Sequence, residues 1–292
     1  MKTAILIFLA FTAGMLNPGS RSVNTMSPGS EFVTCTECPK DIRGFLNIPA
    51  NADCDMVKWR LFVFDNGKYN LDAEWKYIVD NRTEAKGGEL LNSHGSWKIS
   101  KSNPGYSKSE VYVFTPEDRP TESVSMLKLN DNMFQLMTKD KKLSIGGGGW
   151  SNTLNRVAPV PDESIDFALS NTTGSMLGDS LVLQGRSPFT EGLGLDPEPG
   201  RIKIKWLISL RKDQTFKLRR VLARANAITG KWSVVKGWKD NKDAVVYKLD
   251  AQNPQPHSLY LLKGSDDVFF FLSKEKGMLV GNEEFSYTLN RR

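Results

Sequence analysis

The chain carries nearly the same ending twice: "GGGGWSNTLNR" closes at Arg156 and "NEEFSYTLNR" closes at Arg291, 135 residues further on. At that fixed offset the match runs far upstream of the shared Thr-Leu-Asn-Arg. Gly95 and Trp97 fall on Gly230 and Trp232, Val111 and Tyr112 on Val246 and Tyr247, and Ser123 on Ser258. Leu127 meets Leu262, Phe134 meets Phe269, Lys139 meets Lys274 and Gly146 meets Gly281, with no gap. Further upstream "VKWRLFVFDNGKYNL" faces "IKWLISLRKDQTFKL" at an offset of 147, so the first copy holds twelve extra residues between Leu71 and Gly95, which a longer hairpin would absorb. Self-similarity at a fixed period constrains a fold before any other feature. Each copy, a little over a hundred residues, is long enough to bury its own core. The spacing therefore predicts two related domains in tandem, 32–158 and 177–292, each able to fold alone.

The remaining stretches are short. Of the 292 residues 39% are hydrophobic and 25% charged, the balance of a folded chain without membrane-spanning segments. Residues 1–16 begin "MKTAILIFLAFTAG", with one basic residue, an apolar run and small residues after it, and read as an export signal. Met15 stands where a lipoprotein signal would place its cysteine, so no lipid anchor is expected. Residues 17–31, rich in Pro, Gly and Ser, read as a flexible tether. Residues 159–176 read as a linker, whose Pro159 and Pro161 stop the preceding strand and whose "IDFALS" suits one turn of helix.

Within the repeats apolar and polar residues alternate with period two, the signature of half-buried strands. Ile202, Ile204, Trp206, Ile208 and Leu210 share one face, and Val57, Trp59, Leu61 and Val63 share the matching one. "DNG" follows, with Asn66 and Gly67 suited to the positive φ of a tight hairpin. Seven or eight short strands per copy predict an all-β chain of two small antiparallel barrels. Trp97 and Trp232, each two residues after a glycine, read as core plugs. The repeated ending reads as the closing strand of a meander barrel, with Leu154 and Leu289 inward. Its Asn and Arg suit an exposed strand end with a polar partner, or an anion contact.

These segments carry a family resemblance. "FLNIPANADCDMVKWRLFVFDNGKYNL", "HGSWKI", "SVSMLKLNDNMFQLMTKDKKL" and "WSNTLNR" resemble the N-terminal domain of NlpE-type copper-resistance proteins, and "TGKWSVVKGWKDNKDAVVYKL" with "FSYTLNR" resembles its latter half. The resemblance implies a lipocalin-like barrel in each half, a place in the periplasm or outer envelope of a bacterium, and a part in copper resistance or envelope-stress response. The family's Cys-Ala-Asp-Cys is reduced here to Asn51, Ala52, Asp53 and Cys54, and the second copy has no thiol. Cys35 and Cys38 lie just upstream, on a stretch read as part of the tether. Cys35, Cys38 and Cys54 would make a soft trigonal Cu(I) site if that stretch folded back over the barrel mouth. In an oxidising compartment two of the three would instead form a disulfide, whose pairing the sequence leaves open.

Other chemistry is sparse. His94 and His257 do not coincide on the repeat map and read as loop residues. No nucleophile elbow, phosphate-binding Lys loop or zinc-protease helix occurs, and Gly146 to Gly149 read as a turn. A non-catalytic chain without a resident cofactor is expected. Charge is lopsided: 17 basic against 16 acidic residues in 32–158, but 20 against 13 in 177–292. Arg201, Lys203 and Lys205 fall on one strand face, and Lys217 and Arg219 on the next, a face for an anionic lipid surface or an acidic envelope protein, or simply for solvent. Nucleic acid is not an expected partner. Two readings remain: an envelope interaction or sensing module acting through its surface, and a lipocalin-like binder of a small apolar ligand. Large inward residues such as Trp97, Trp232, Phe269 and Phe271 favour the first.

Overall fold

The computed structural model describes residues 29–78, 85–100, 106, 109–161, 179–188, 193, 195, 203–221, 226–239, 241–253, 257–273, 275 and 277–292. The first copy forms eight strands, β1 (Ser30–Glu37), β2 (Met56–Val63), β3 (Lys68–Ile78), β4 (Ala85–Ser100), β5 (Val111–Pro116), β6 (Val124–Asn130), β7 (Met133–Met137) and β8 (Thr153–Arg156). The second forms β9 (Ser180–Ser187), β10 (Ile204–Arg211), β11 (Thr215–Val221), β12 (Ile228–Trp238), β13 (Asn241–Asn253), β14 (His257–Lys263), β15 (Val268–Leu272) and β16 (Thr288–Arg291). Each set pairs in sequence order, antiparallel throughout, and its last strand returns to its first, so the chain is two closed eight-stranded barrels. Closure leaves neither sheet with a free edge.

Period two decides what faces inward. Val57, Trp59, Leu61 and Val63 are buried in the first barrel, and Ile204, Trp206, Ile208 and Leu210 in the second, while Ile202 lies outside the described residues. Leu154 and Leu289 of the closing strands are fully buried in their respective cores. The deepest indoles are Trp59 and Trp206, whose N–H groups donate to Thr36 Oγ1 at 3.2 Å and Ser187 Oγ at 2.8 Å. A buried indole needs such an acceptor. Trp97 and Trp232 are not core plugs: half-buried at the barrel ends, they donate to the carbonyls of Phe64 at 3.0 Å and Arg211 at 2.9 Å.

Several local expectations change. β1 starts at Ser30, within the stretch read as tether, because Phe32, Thr34 and Thr36 alternate inward along a paired strand. Cys35 is therefore strand, not tether. In the β2–β3 turn only Gly67 has positive φ, at 79°; Asn66 instead accepts the Lys68 N–H through its side chain at 3.1 Å. Gly148 and Gly149 do turn the chain with positive φ. His94 lies on β4 and opens no loop, and His257 is the first residue of β14. The extra residues of the first copy lengthen the strands themselves: β3 and β4 have 11 and 16 residues, β11 and β12 only 7 and 11. "IDFALS" lies outside the described residues.

The barrels are filled. In the first, the segment after β1 makes a short 3-10 turn (Lys40–Ile42) and sends Ile42, Phe45, Leu46 and Ile48 into the core, where Phe45 packs against Trp59 and Tyr69. In the second, Leu193 and Leu195 join a core that holds Trp206, Tyr247, Phe269 and Phe271.

Candidate functional site

Two features of the outer surface stand out: the seam where the barrels meet, and a cationic face on the second.

The seam explains the repeated ending. Side chains on the outward face of β5, β6 and β7, with Leu143, share one apolar cluster with their repeat partners: Val111 with Val246, Leu127 with Leu262, Met133 with Val268, Met137 with Leu272 and Leu143 with Met278. The same face of each copy is thus its own partner, the isologous arrangement of a twofold dimer built within one chain. The closing strands lie on the axis. Thr153 Oγ1 meets its own repeat partner, Thr288 Oγ1, at 2.7 Å. With Thr153 donating to Gln135 Oε1 at 2.6 Å, the shared bond is donated by Thr288. Asn290 accepts the Gly146 N–H at 3.1 Å, and Asn155 reciprocally accepts the Gly281 N–H at 2.8 Å. Gly146 and Gly281 recur because a Cβ there would stand 2.0 Å from the Trp150 carbonyl and 2.1 Å from that of Phe285. Both asparagines are buried, so the expectation of an exposed Asn at the strand end is corrected: the repeated Asn holds the second barrel to the first. Arg156 and Arg291, by contrast, remain half-exposed.

The seam was legible in part. "VFFFL" at Val268 to Leu272 is apolar at every position, which a strand with one wet face does not show. Phe269 and Phe271 face the barrel core, and Val268, Phe270 and Leu272 face the other barrel.

The cysteines do not converge. Cys38 and Cys54 form a disulfide that closes the loop carrying the Phe45 plug and packs on the first core. Cys35 faces the opposite way, toward the seam, where it is buried and its thiol is pushed up to about 12 by desolvation, with Lys58, Glu284 and Arg186 as the nearest charges. Two sulfurs bonded to each other and a third across the barrel wall do not fit a trigonal copper site. Among the described residues no three His, Cys, Asp or Glu side chains group as metal ligands.

The cationic face is assembled from neighbouring strands. In β10 and β11 Lys205 lies opposite Val221, Leu207 opposite Arg219 and Ser209 opposite Lys217, all pointing outward because their neighbours fill the core. Lys203 precedes β10, is exposed, and its Nζ sits 5.7 Å from the centre of the Phe285 ring. Arg201 lies outside the described residues. The structure adds three cations that sequence reading passed over: Arg186 on β9, directly opposite Lys205, Arg211 at the end of β10, and Lys231 on β12, opposite Thr215. Period two in "SLVLQGRS" already turned Arg186 outward; barrel closure then placed it beside Lys205. Arg186 also stacks on Trp150 of the first barrel, 4.4 Å from the ring centre.

The matching face of the first barrel is built differently. Lys58 bonds Glu284 at 3.1 Å, Arg60 bonds Glu31, Lys76 bonds Glu74 at 3.0 Å, and Asp72 accepts from Asn92 at 2.6 Å. Burial alone would lower the Lys58 ammonium, but the hydrogen bond and charge of Glu284 outweigh it and its pKa is raised. A half-open groove of about 320 Å³ runs past Lys58, Arg60, Asp72 and Glu283; of these Lys58 is paired with Glu284, Arg60 with Glu31, and Asp72 accepts from Asn92.

No family model matches the chain, and no curated protein or solved structure does either. The fold class, two closed antiparallel barrels compatible with a lipocalin-like architecture, therefore stands on the strand pairing alone. Among the described residues no helix is long and apolar enough to cross a membrane.

Proposed function

We propose that this chain is a non-catalytic protein of the bacterial cell envelope, akin to the NlpE-type proteins it resembles, that works as a rigid interaction module through its outer surface. The observation that carries this reading is the filling of both barrels: Phe45 and Leu46 plug the first, and Trp206, Tyr247 and Phe271 occupy the second. A lipocalin-like binder needs that volume for its ligand. An oxidising compartment agrees with the Cys38–Cys54 bond, and residues 1–16 supply an export signal. Copper enters only through the resemblance and finds no fitting thiolate set here.

The test pairs two measurements on protein recovered from its own periplasm. Intact mass should show a mature chain lacking the first ~16 residues and carrying one disulfide. Titration with a fluorescent fatty acid should show no saturable binding. Stoichiometric uptake that quenches the core tryptophans would favour the apolar-ligand reading; an unprocessed, reduced chain would remove the envelope.

A further inference from the structure

The two barrels are copies, so each face of one is a control for the same face of the other. On the β1–β3 face of the first, every cation named above has an acid at hand. On the β9–β11 face of the second, Lys205, Arg211, Lys217 and Arg219, with Lys231 beside them on β12, form no ion pair among the described residues. Of the acids nearby, Asp179 pairs Lys212 and Asp250 pairs Lys248, while Asp213 in the β10–β11 turn bonds Thr215 and lies within the field of Arg211 and Lys231, which leaves Lys205, Lys217 and Arg219 as the centre of the face. A face made only to be soluble is served by mixed charge, as the first barrel shows. Concentrating one sign on one copy creates a field that attracts a polyanion.

The side chains choose among polyanions. The described outward positions of β9 to β11 are Ser, Val, Leu, Gln, Thr, Lys and Arg, with no aromatic ring, and the rings at the margin are already covered, Trp150 by Arg186 and Phe285 beside Lys203, so these strands offer no stacking platform of the kind that holds bases and single-stranded nucleic acid. The face is the outside wall of a closed barrel rather than a groove, so it gives a linear chain no track. Successive outward residues on a strand stand roughly 7 Å apart. Lysines at that spacing are point charges on flexible stems, suited to many laterally mobile phosphates more than to one ligand of fixed shape. Leu207, Val182 and Val221 lie among them half-buried, a low apolar floor on which the lysine stems rest.

We propose that the β9–β11 face docks the protein on an anionic phospholipid bilayer, second barrel down, leaving the first barrel and its plugged mouth free for other contacts. This goes beyond the envelope reading and does not depend on it, since the face is defined by charge and register alone. Docking is electrostatic and reversible. Each cation held at an anionic surface raises partitioning about fivefold, and the gain fades as salt shortens the screening length.

The experiment is vesicle co-sedimentation of the full chain, with phosphatidylcholine alone or with phosphatidylglycerol added, at low and high salt. Three proteins are compared: the native chain; Lys205→Gln, Lys217→Gln, Arg219→Gln; and a control of equal net charge from the first barrel, Lys98→Gln, Lys139→Gln, Lys142→Gln. The native chain should bind only the phosphatidylglycerol vesicles and leave them at high salt. The face variant should lose on the order of 100-fold in partitioning, and the control should stay within about threefold of the native chain. All six positions lie outside the barrel cores, exposed except for the half-buried Lys205, so the changes leave both cores intact, which unchanged thermal melting verifies. Absence of binding to anionic vesicles at low salt, or an equal loss in the control, would overturn the proposal. Preference for a soluble single-stranded oligonucleotide over the vesicles would overturn it too, assigning the face to a different polyanion.

Discussion

Asn290 and Asn155 each hold a glycine N–H of the other barrel, with bonds of 3.1 and 2.8 Å in a buried seam. Truncating Asn290 leaves the buried Gly146 N–H without its acceptor, which costs about 1–3 kcal/mol, and truncating Asn155 does the same to the half-buried Gly281 N–H. Asn290→Ala, which also takes the donor from the Trp150 carbonyl, should therefore lower the melting temperature by several degrees, with Asn155→Ala similar. An effect within error of the native melt would show that the reciprocal pair is ornamental. Cys35 gives a second residue-level test. Its thiol, raised from 9.0 to about 12, and the hydroxyls of Tyr69 and Tyr106, raised from 10.0 to about 12 by burial, all favour the protonated form in the folded state. The folded chain thus binds more protons than the unfolded one between pH 9 and 12. Stability should be full below about pH 9 and fall steadily above it. Urea melts from pH 7 to 11 measure this, and a rise with pH would contradict the burial of these groups. At pH 8 iodoacetamide should leave Cys35 unmodified until the chain is unfolded.

At the scale of elements, the loop between β1 and β2 is a stapled plug, and it distinguishes the copies. The disulfide spans a sequence separation of 16, a loop length at which a cross-link stabilises by about 3 kcal/mol. The Cys38→Ser, Cys54→Ser pair should lose roughly that much, and Phe45→Ala about 3–5 kcal/mol, measured by denaturant unfolding. If removing the disulfide leaves the midpoint unchanged, the plug is held by packing alone. Most of this level was legible beforehand. Alternation gave the inward faces of β2 and β10, and the repeat gave the number of barrels and their closing strands. Three things were not. The β1 strand was hidden because "SEFVTCTE" follows a Pro, Gly and Ser-rich stretch and lies upstream of the recognisable repeat. The pairing of Cys38 with Cys54 needed three dimensions. Arg186 joined the cationic face only once barrel closure set β9 beside β10. Arg201 and the linker turn stay outside the described residues.

For the whole molecule, the consequence of the seam is that two barrels with separate interiors share a third apolar cluster and a buried hydrogen-bond chain from the Thr288 hydroxyl through that of Thr153 to the Gln135 amide oxygen. The two related domains, 32–158 and 177–292, each read from the sequence as able to fold alone, meet through apolar faces, so that parting them would bare Leu127, Val246, Leu262 and Phe270 to water. A pair joined as one body would let a charged face on one barrel orient the other. Scanning calorimetry of the full chain tests it most directly. If the barrels unfold as one body, a single transition should appear whose calorimetric and van 't Hoff enthalpies agree, a ratio of about 1. Two resolved transitions, or one broad peak with a ratio near 2, would mean that each barrel melts alone and that the twice-written ending does not join them.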